Sequence, residues 1–492
     1  MTEPMLALEL IDASFRYHGT DTVALSELNL TVQRGEMVAV LGPQGSGTST
    51  LCRLAAGLLG DRGDAAGSVR SAPGAVAMLG DDPESQITGM TSFVDDEVRL
   101  PTRLFGSDRA VDPGTALASF GMARLVGRRL DTLSGGERQL VALASLTTLR
   151  PELLMLDQPA LSLDPAARAL LLAALRGFCA GGGAVLLAGH QHDELTAAAD
   201  RVAFLRAGRS VRQAAPRDLN DEALAAHGVW NTMPGPDSDL AASSTPESVS
   251  ALERAPGSAP SPLLEARDLT VTRGGTPIFS GIDLGVSGGE VLAVVGANGV
   301  GKSTLLRALS GLLGRDASVT GEISVRNRGG AGAGAVRIDR LPAWQRAGWL
   351  GWVGQDPGAQ LSAATALAEL ETSTPLPPHR RRERARLRDE RAVASGEMLL
   401  RVGLGEQADD HPYDLNPAQR KELVIGSALL LRPDVLLLDE PTLGRDLAGM
   451  RRLDRIVRDF TEAGGAVVVT THDLRWAREI ATRQLNMPVH LR

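Results

Sequence analysis

Residues 296–304, GANGVGKST, set a lysine and a serine at the end of a glycine-rich turn. Gly296, Gly301, Lys302 and Ser303 fill every fixed position of GxxxxGK[ST], with Asn298, Gly299 and Thr304 completing the stretch. An apolar run, VLAVVG, precedes the turn and TLLRALSGLL follows it. That is the strand–loop–helix setting in which this motif binds phosphate. The glycines let backbone N–H groups turn inward around phosphate oxygens, and the helix N-terminus adds a favourable dipole. Lys302 is placed to reach the β- and γ-phosphates of a nucleoside triphosphate, and Ser303 to ligate Mg²⁺. A second such loop, GPQGSGTST at 42–50, carries Gly42, Gly45, Gly47, Ser49 and Thr50, but Thr48 stands where Lys302 would. It keeps backbone donors and lacks the cation, so weak nucleotide binding and impaired hydrolysis are expected there.

The elements that would hold these loops occur twice. VALSELNLTVQRGEMVAVLG near residue 23 answers PIFSGIDLGVSGGEVLAVVG near residue 277. LLMLD at 153–157 answers VLLLD at 435–439, and VLLAGH ending at His190 answers VVVTTH ending at His472. The offset is 254 residues at the glycine loops and 282 at the Asp and His positions, so the second half carries 28 extra residues between them. A repeat this long is a domain duplication rather than a solenoid unit. Residues 232–262 are rich in Pro, Ser and Ala without periodicity and read as a linker. The expected layout is a first domain at 5–231, the linker at 232–262 and a second domain at 263–492. Short apolar runs alternating with helical stretches predict a mostly parallel sheet covered on both faces.

Composition narrows the partners. The chain has 492 residues, 43% of them hydrophobic, with a net charge of −8 and only 3% aromatics. A length beyond one core fits several domains. Scarce rings and an acidic balance argue against a nucleic-acid partner. Cys52 and Cys179 are isolated, without zinc spacing, which fits a reducing cytoplasm. Cys52, on the helix after the first loop, reads as core. No run nears the ~20 apolar residues of a membrane span, and MTEPMLALELIDASF lacks the features of a signal peptide. Any membrane role then goes through a partner. The run HRRRERARLRDER at 379–391 interleaves acids with its arginines and reads as a solvated helix.

LSGGERQ at 133–139 lies 24 residues before Asp157. With it, both halves resemble the nucleotide-binding domains of ABC transporters, over nearly the whole chain outside the linker. The resemblance implies an α/β fold of two P-loop NTPase domains. Each would have a RecA-like core, an antiparallel β subdomain and a helical signature subdomain. It implies ATP and Mg²⁺ as ligands. By the same resemblance Asp439 supports Mg²⁺, Glu440 polarises the attacking water, Gln355 is the switch glutamine and a metal contact beside Ser303, and His472 meets the γ-phosphate. A carboxylate placed like Glu440 can accept a proton from water. Tyr17 fits the ring that stacks on adenine. Arg273 holds the matching place in the second half, as a stacking guanidinium or an ordinary surface residue.

Such domains pair head to tail, which would join Gly296–Thr304, Gln355, Asp439, Glu440 and His472 to the signature residues Ser134, Gly135 and Gly136. The other composite site would join Thr48, Asp81 and Gln158 to Asn416, Pro417 and Ala418 of LNPAQRK, departures at every position. Pro417 removes a backbone N–H, and the Gln158 amide cannot act as a base. Losses confined to one composite site are what a pair under asymmetric use would show. Whether the pairing is within one chain or between two stays open.

QDPGAQ at 355–360 and DDPESQ at 81–86 resemble the Q-x-P-x-x-Q stretch of energy-coupling factor (ECF) ATPases. That resemblance implies a peripheral ATPase on the cytoplasmic face of the cell membrane. It would hold a membrane T-component and a substrate-binding S-component, for uptake of a vitamin or metal ion. The alternative is a soluble twin-ABC ATPase acting on ribosomes or DNA, though such proteins usually keep both signatures. A non-catalytic nucleotide sensor is disfavoured by the intact Lys302 and Glu440.

Overall fold

The computed structural model describes residues 5–71, 76–81, 87–106, 111–161, 163–233, 261–328 and 334–487. Most of the 232–262 linker, and DDPESQ beyond Asp81, lie outside the described residues. The chain divides into two compact units, Met1–Met233 with Gly444–Ala448, and Pro234–Leu443 with Gly449–Arg492. These are the first and second lobe.

The first lobe opens with β1 (Leu6–Tyr17), β2 (Leu25–Gln33), β3 (Met37–Leu41), β4 (Gly63–Ser71) and β5 (Val76–Leu79). It continues with β6 (Leu153–Asp157), β7 (Ala184–Gly189), β8 (Arg201–Arg206) and β9 (Arg209–Ala214). The core sheet has the order β9-β8-β3-β7-β6-β5, parallel except for the β9 edge. β3, β6 and β7 are buried at every residue, as continuous apolar runs must be in a sheet covered on both sides. β2, β1 and β4 form a separate antiparallel sheet. Buried and exposed residues alternate along β2, so it presents one face to the core and one to solvent.

The longer helices of this lobe are α1 (Thr48–Ala55), α2 (Val94–Phe105), α3 (Pro113–Ser119), α4 (Gly135–Thr147) and α5 (Pro165–Ala180). α1 follows the glycine loop, and α4 begins at the LSGGERQ stretch. Cys52 on α1 is fully buried, and burial pushes its thiol well above the usual range.

The second lobe repeats the plan. Its strands are β10 (Leu264–Arg273), β11 (Thr276–Val286), β12 (Val291–Val295), β13 (Ala317–Val325), β14 (Val336–Arg337), β15 (Leu350–Val353), β16 (Val435–Asp439), β17 (Ala466–Thr470) and β18 (Arg483–Asn486). The core order is β15-β16-β17-β12-β18, parallel throughout, and β11-β10-β13-β14 form the antiparallel sheet. Its helices include α6 (Lys302–Ser310), α7 (Ala366–Ser373), α8 (Arg384–Arg401) and α9 (Pro417–Leu430), with further helices at Leu447–Glu462 and Leu474–Ile480. Much of the basic run lies at the start of α8, largely exposed, with an Arg386–Glu390 pair at 3.4 Å one turn apart.

The α/β class and the antiparallel and helical subdomains expected from sequence are therefore present in both lobes. Among the described residues no helix is long and apolar enough to cross a membrane.

Candidate active site

In the second lobe the loop between β12 and α6 is shaped by its glycines. Gly301 caps α6 with φ of 104°. A Cβ there would sit 2.9 Å from Ile278 Cγ2 and 3.1 Å from Phe279 Cδ1, so both conformation and space demand glycine. Gly296 and Gly299 also have positive φ, and Asn298 and Gly299 are exposed at the rim. Lys302 is 7% exposed. Its Nζ donates to the carbonyls of Gly296 at 2.8 Å and Ala297 at 3.1 Å, so the ammonium sits inside the turn. Ser303 and Thr304 lie half-buried in the first helical turn.

Asp439 closes β16 and is wholly buried. Its Oδ1 accepts from Ser303 Oγ at 3.0 Å and from Thr470 Oγ1 at 2.6 Å, while Oδ2 has no hydrogen-bond partner. A buried carboxylate oxygen beside a serine hydroxyl, left over after all protein donors are used, fits a divalent cation. Glu440 follows in a left-handed conformation, φ 48°. Its N–H donates to Thr470 O at 3.1 Å and to Thr470 Oγ1 at 3.0 Å. A bulky side chain held in that region marks stored strain of the kind found at functional sites. The Glu440 carboxylate accepts from the His472 N–H at 3.0 Å, and His472 Nε2 lies 3.3 Å away. Burial pushes this carboxyl up to about 7, against the opposing pull of Lys302 and with a further rise from Asp439. A carboxyl poised near neutrality suits proton transfer.

Lys421, Thr470, Thr471 and Thr442 also build this site, and the sequence reading did not single them out. Lys421, 3% exposed on α9, donates from Nζ to Glu440 O at 2.8 Å and Asp439 O at 3.2 Å. Thr442 and Thr471 share a hydroxyl–hydroxyl bond of 2.8 Å. A signal was available: VVVTTH against VLLAGH places Ala188 and Gly189 where Thr470 and Thr471 stand. Gln355 sits exposed on the loop after β15, hydrogen-bonded to none of Ser303, Asp439 or Glu440. Gln360 instead turns back on that loop, accepting from Gly354 N–H at 2.7 Å and donating to Trp352 O at 3.2 Å.

The first lobe has the same scaffold with different side chains. Gly47 caps α1 with φ of 98°, and a Cβ there would meet Ala24 O at 2.6 Å. Gly42 leaves no room for a Cβ, Gly45 is exposed, and Thr48 and Thr50 are buried. With no lysine present, His190 Nδ1 lies 2.8 Å from Gly42 O, the carbonyl equivalent to the one Lys302 holds. A carbonyl only accepts, so this nitrogen carries the proton. Gln158 repeats the left-handed conformation, φ 53°. Both Asp157 oxygens are buried without a hydrogen bond; Ser49 stands near enough to favour the charged form without completing one. Burial pushes Asp157 up to about 6, helped by Asp81. Asp81 itself lies 3.6 Å from Arg53.

Both signature stretches begin helices. Ser134 caps α4, accepting from Glu137 N–H at 3.3 Å, and the Glu137 carboxylate accepts from Ser134 N–H at 3.0 Å. Asn416 caps α9 by the same reciprocal pair through Gln419, at 2.9 and 3.0 Å, with Pro417 at the first helical position. Asn as cap and Pro at N1 are good helix starters. LNPAQRK thus preserves the helix end while removing the serine–glycine surface. Ser134 and Gly135 are exposed and Gly136 is buried. Tyr17 packs edge-on against Phe15 at 4.9 Å, with its hydroxyl 3.3 Å from Thr50 Oγ1. Arg273 pairs with Asp316 at 2.5 Å on an exposed strand end.

A sequence profile described as ABC transporter matches residues 25–161 and 279–443. A protein of Bifidobacterium longum, provisionally named an ABC transporter ATP-binding protein, is 30% identical over 98% of this chain. The chain spans 65% of that relative's length. A similarly named protein of Streptomyces coelicolor is 31% identical over 96% of this chain and 90% of its own length. Among solved structures, a chain of the ribosome-bound archaeal Pelota and ABCE1 assembly superposes with a TM-score of 0.66 at 17% identity, over 97% of this chain and 76% of that one.

Proposed function

We propose, from the premise that this chain belongs to the ABC transporter family, that its second lobe binds and hydrolyses ATP with Mg²⁺ while its first lobe supplies a signature helix and a pocket without a base. The observation that carries this is the contrast at one position: Glu440, buried, poised near neutrality and beside His472, against Gln158 in the same left-handed turn. Ser303 and Asp439 would hold Mg²⁺, joined by Gln355 from its exposed loop. The ion supplies positive charge to phosphate oxygens. A triphosphate offers Lys302 acceptors in place of the loop carbonyls it now holds. Glu440 takes the proton of the attacking water, and His472 stands beside it to meet the γ-phosphate. Ser134, Gly135 and Gly136, from this chain or a second copy, complete the site. Tyr17 would stack on a base in the first lobe's pocket. The test is steady-state ATP hydrolysis by the full chain: Lys302→Ala abolishes it and Thr48→Ala leaves it near the parent. Equal losses from both would refute the assignment.

The work coupled to hydrolysis is proposed as membrane transport, supported by the names of the relatives at 30 and 31% identity. Its finer form, an ECF-type ATPase with T- and S-components on the cytoplasmic membrane face importing a vitamin or metal ion, rests on the resemblance of QDPGAQ and DDPESQ. Gln360 of that stretch has a local structural task. A second reading, a soluble twin-ABC ATPase acting on ribosomes, draws on the fold likeness along 97% of the chain to the ribosome-bound assembly, which weighs at least as much as one motif. Tagged Glu440→Gln chain, loaded with Mg–ATP, separates them. Capture of a polytopic membrane protein supports transport; sedimentation with ribosomes supports the second reading.

A further inference from the structure

The signature helix of the second lobe, α9, has lost its serine–glycine surface yet sends one charged side chain into the catalytic turn. We infer that Lys421 is a positioning residue for hydrolysis, holding the backbone of Asp439 and Glu440 so that the Glu440 carboxylate stays aimed at the attacking water. The inference rests on the reading of Glu440 as the base.

Three observations support it. Lys421 is 3% exposed, and a buried ammonium is tolerated only where acceptors compensate it. Nζ reaches Glu440 O at 2.8 Å and Asp439 O at 3.2 Å, gripping both peptide groups that flank the left-handed turn. The first lobe, whose Gln158 cannot act as a base, fills the position with Gln139, and its Nε2 donates to Pro159 O at 2.6 Å, further along the chain. Tethering α4 or α9 to its strand end therefore needs only an amide. The ammonium grip on the carboxylate-bearing residue itself accompanies the competent site alone. A side chain that merely filled space would not need to be charged, nor to choose those two carbonyls.

The experiment compares parent, Lys421→Met, Lys421→Gln and Glu440→Gln as full-length chains. It reads kcat and KM for ATP, Mg–ADP affinity by titration, and thermal midpoint. Lys421→Met is expected to lose about 100-fold in kcat with KM and Mg–ADP affinity within about twofold of the parent, since only transition-state alignment is removed. Lys421→Gln, which can give one carbonyl bond, is expected about tenfold above Lys421→Met and several-fold below the parent. Lys421→Met turning over within about threefold of the parent would overturn the inference. So would parallel loss of Mg–ADP affinity, or Lys421→Gln no better than Lys421→Met. If Lys421→Met does not fold, Lys421→Gln decides: reduced kcat at unchanged affinity supports the inference, and unchanged kcat or weakened affinity overturns it. Glu440→Gln separates the premise, because full turnover in that variant defeats the base assignment whatever Lys421 does.

Discussion

The two lobes share a sheet order, a loop geometry and a strained turn, yet only one places a carboxylate in that turn. In the second lobe Asp439 is held on one oxygen by Ser303 and Thr470, and the other has no hydrogen-bond partner. In the first, Asp157 is equally buried, but Ala188 has replaced the threonine and both oxygens lack a hydrogen bond. His472 faces Glu440, whereas His190 has turned to the loop carbonyl that a lysine would hold. Glycines, caps and buried strands therefore hold the same backbone in both lobes whatever side chains it carries. The left-handed turn is present at Gln158 without a carboxylate.

The sharpest way to break this contrast is to exchange the two turn residues. Glu440→Gln is expected to lower turnover by about 100-fold or more, the range of a general base. Gln158→Glu is expected to leave it within about twofold, because the surrounding cations and hydroxyls are missing. Substantial turnover restored by Gln158→Glu in a Glu440→Gln background would show the first lobe to be competent. Next in size is Thr470→Ala, which removes the hydroxyl that donates to Asp439 and accepts from the Glu440 N–H. About tenfold lower kcat is expected, with Ala188→Thr unchanged.

Much of this contrast was legible from residues alone. GANGVGKST and VLLLDE announce their chemistry because phosphate cradles need fixed glycines and a fixed cation. LSGGERQ against LNPAQRK showed which signature was lost. What escaped was the support that acts through backbone carbonyls. Any residue can present a carbonyl, so no motif records the grip of Lys421 on Glu440 or the reach of His190 to Gly42. Thr470 and Thr471 were visible as differences from Ala188 and Gly189, but a threonine in a buried strand reads as β propensity until its hydroxyl partners are seen. Arg273, open between a stacking guanidinium and an ordinary surface residue, pairs with Asp316 at the surface.

Stability should separate the lobes more quietly. Glu440 is raised from 4.5 to about 7 and Asp157 from 3.8 to about 6, both chiefly by burial. A carboxyl less acidic when folded stabilises the fold below its unfolded value and loses that contribution as pH rises through the folded value. The nucleotide-free chain should thus lose stability from Asp157 between pH 3.8 and about 6, and from Glu440 between pH 4.5 and about 7. Calorimetry of Glu440→Gln should show a raised midpoint at pH 8 that vanishes by pH 4, and an equal gain at both would contradict the burial account. Smallest is the pair of caps. Ser134→Ala and Asn416→Ala should each cost about 1 kcal/mol in denaturant melts. Only Ser134→Ala should also slow turnover; equal slowing by both would argue that the signatures are equivalent.

The most direct test is to count and locate trapped nucleotide. The full-length chain, incubated with Mg–ATP and vanadate and then washed, should retain one ADP per chain. A photoreactive ATP with its azide on the base, trapped the same way, should label the second lobe, at the strand end around Arg273. Two trapped ADP per chain, or label in the first lobe around Tyr17, would contradict the account.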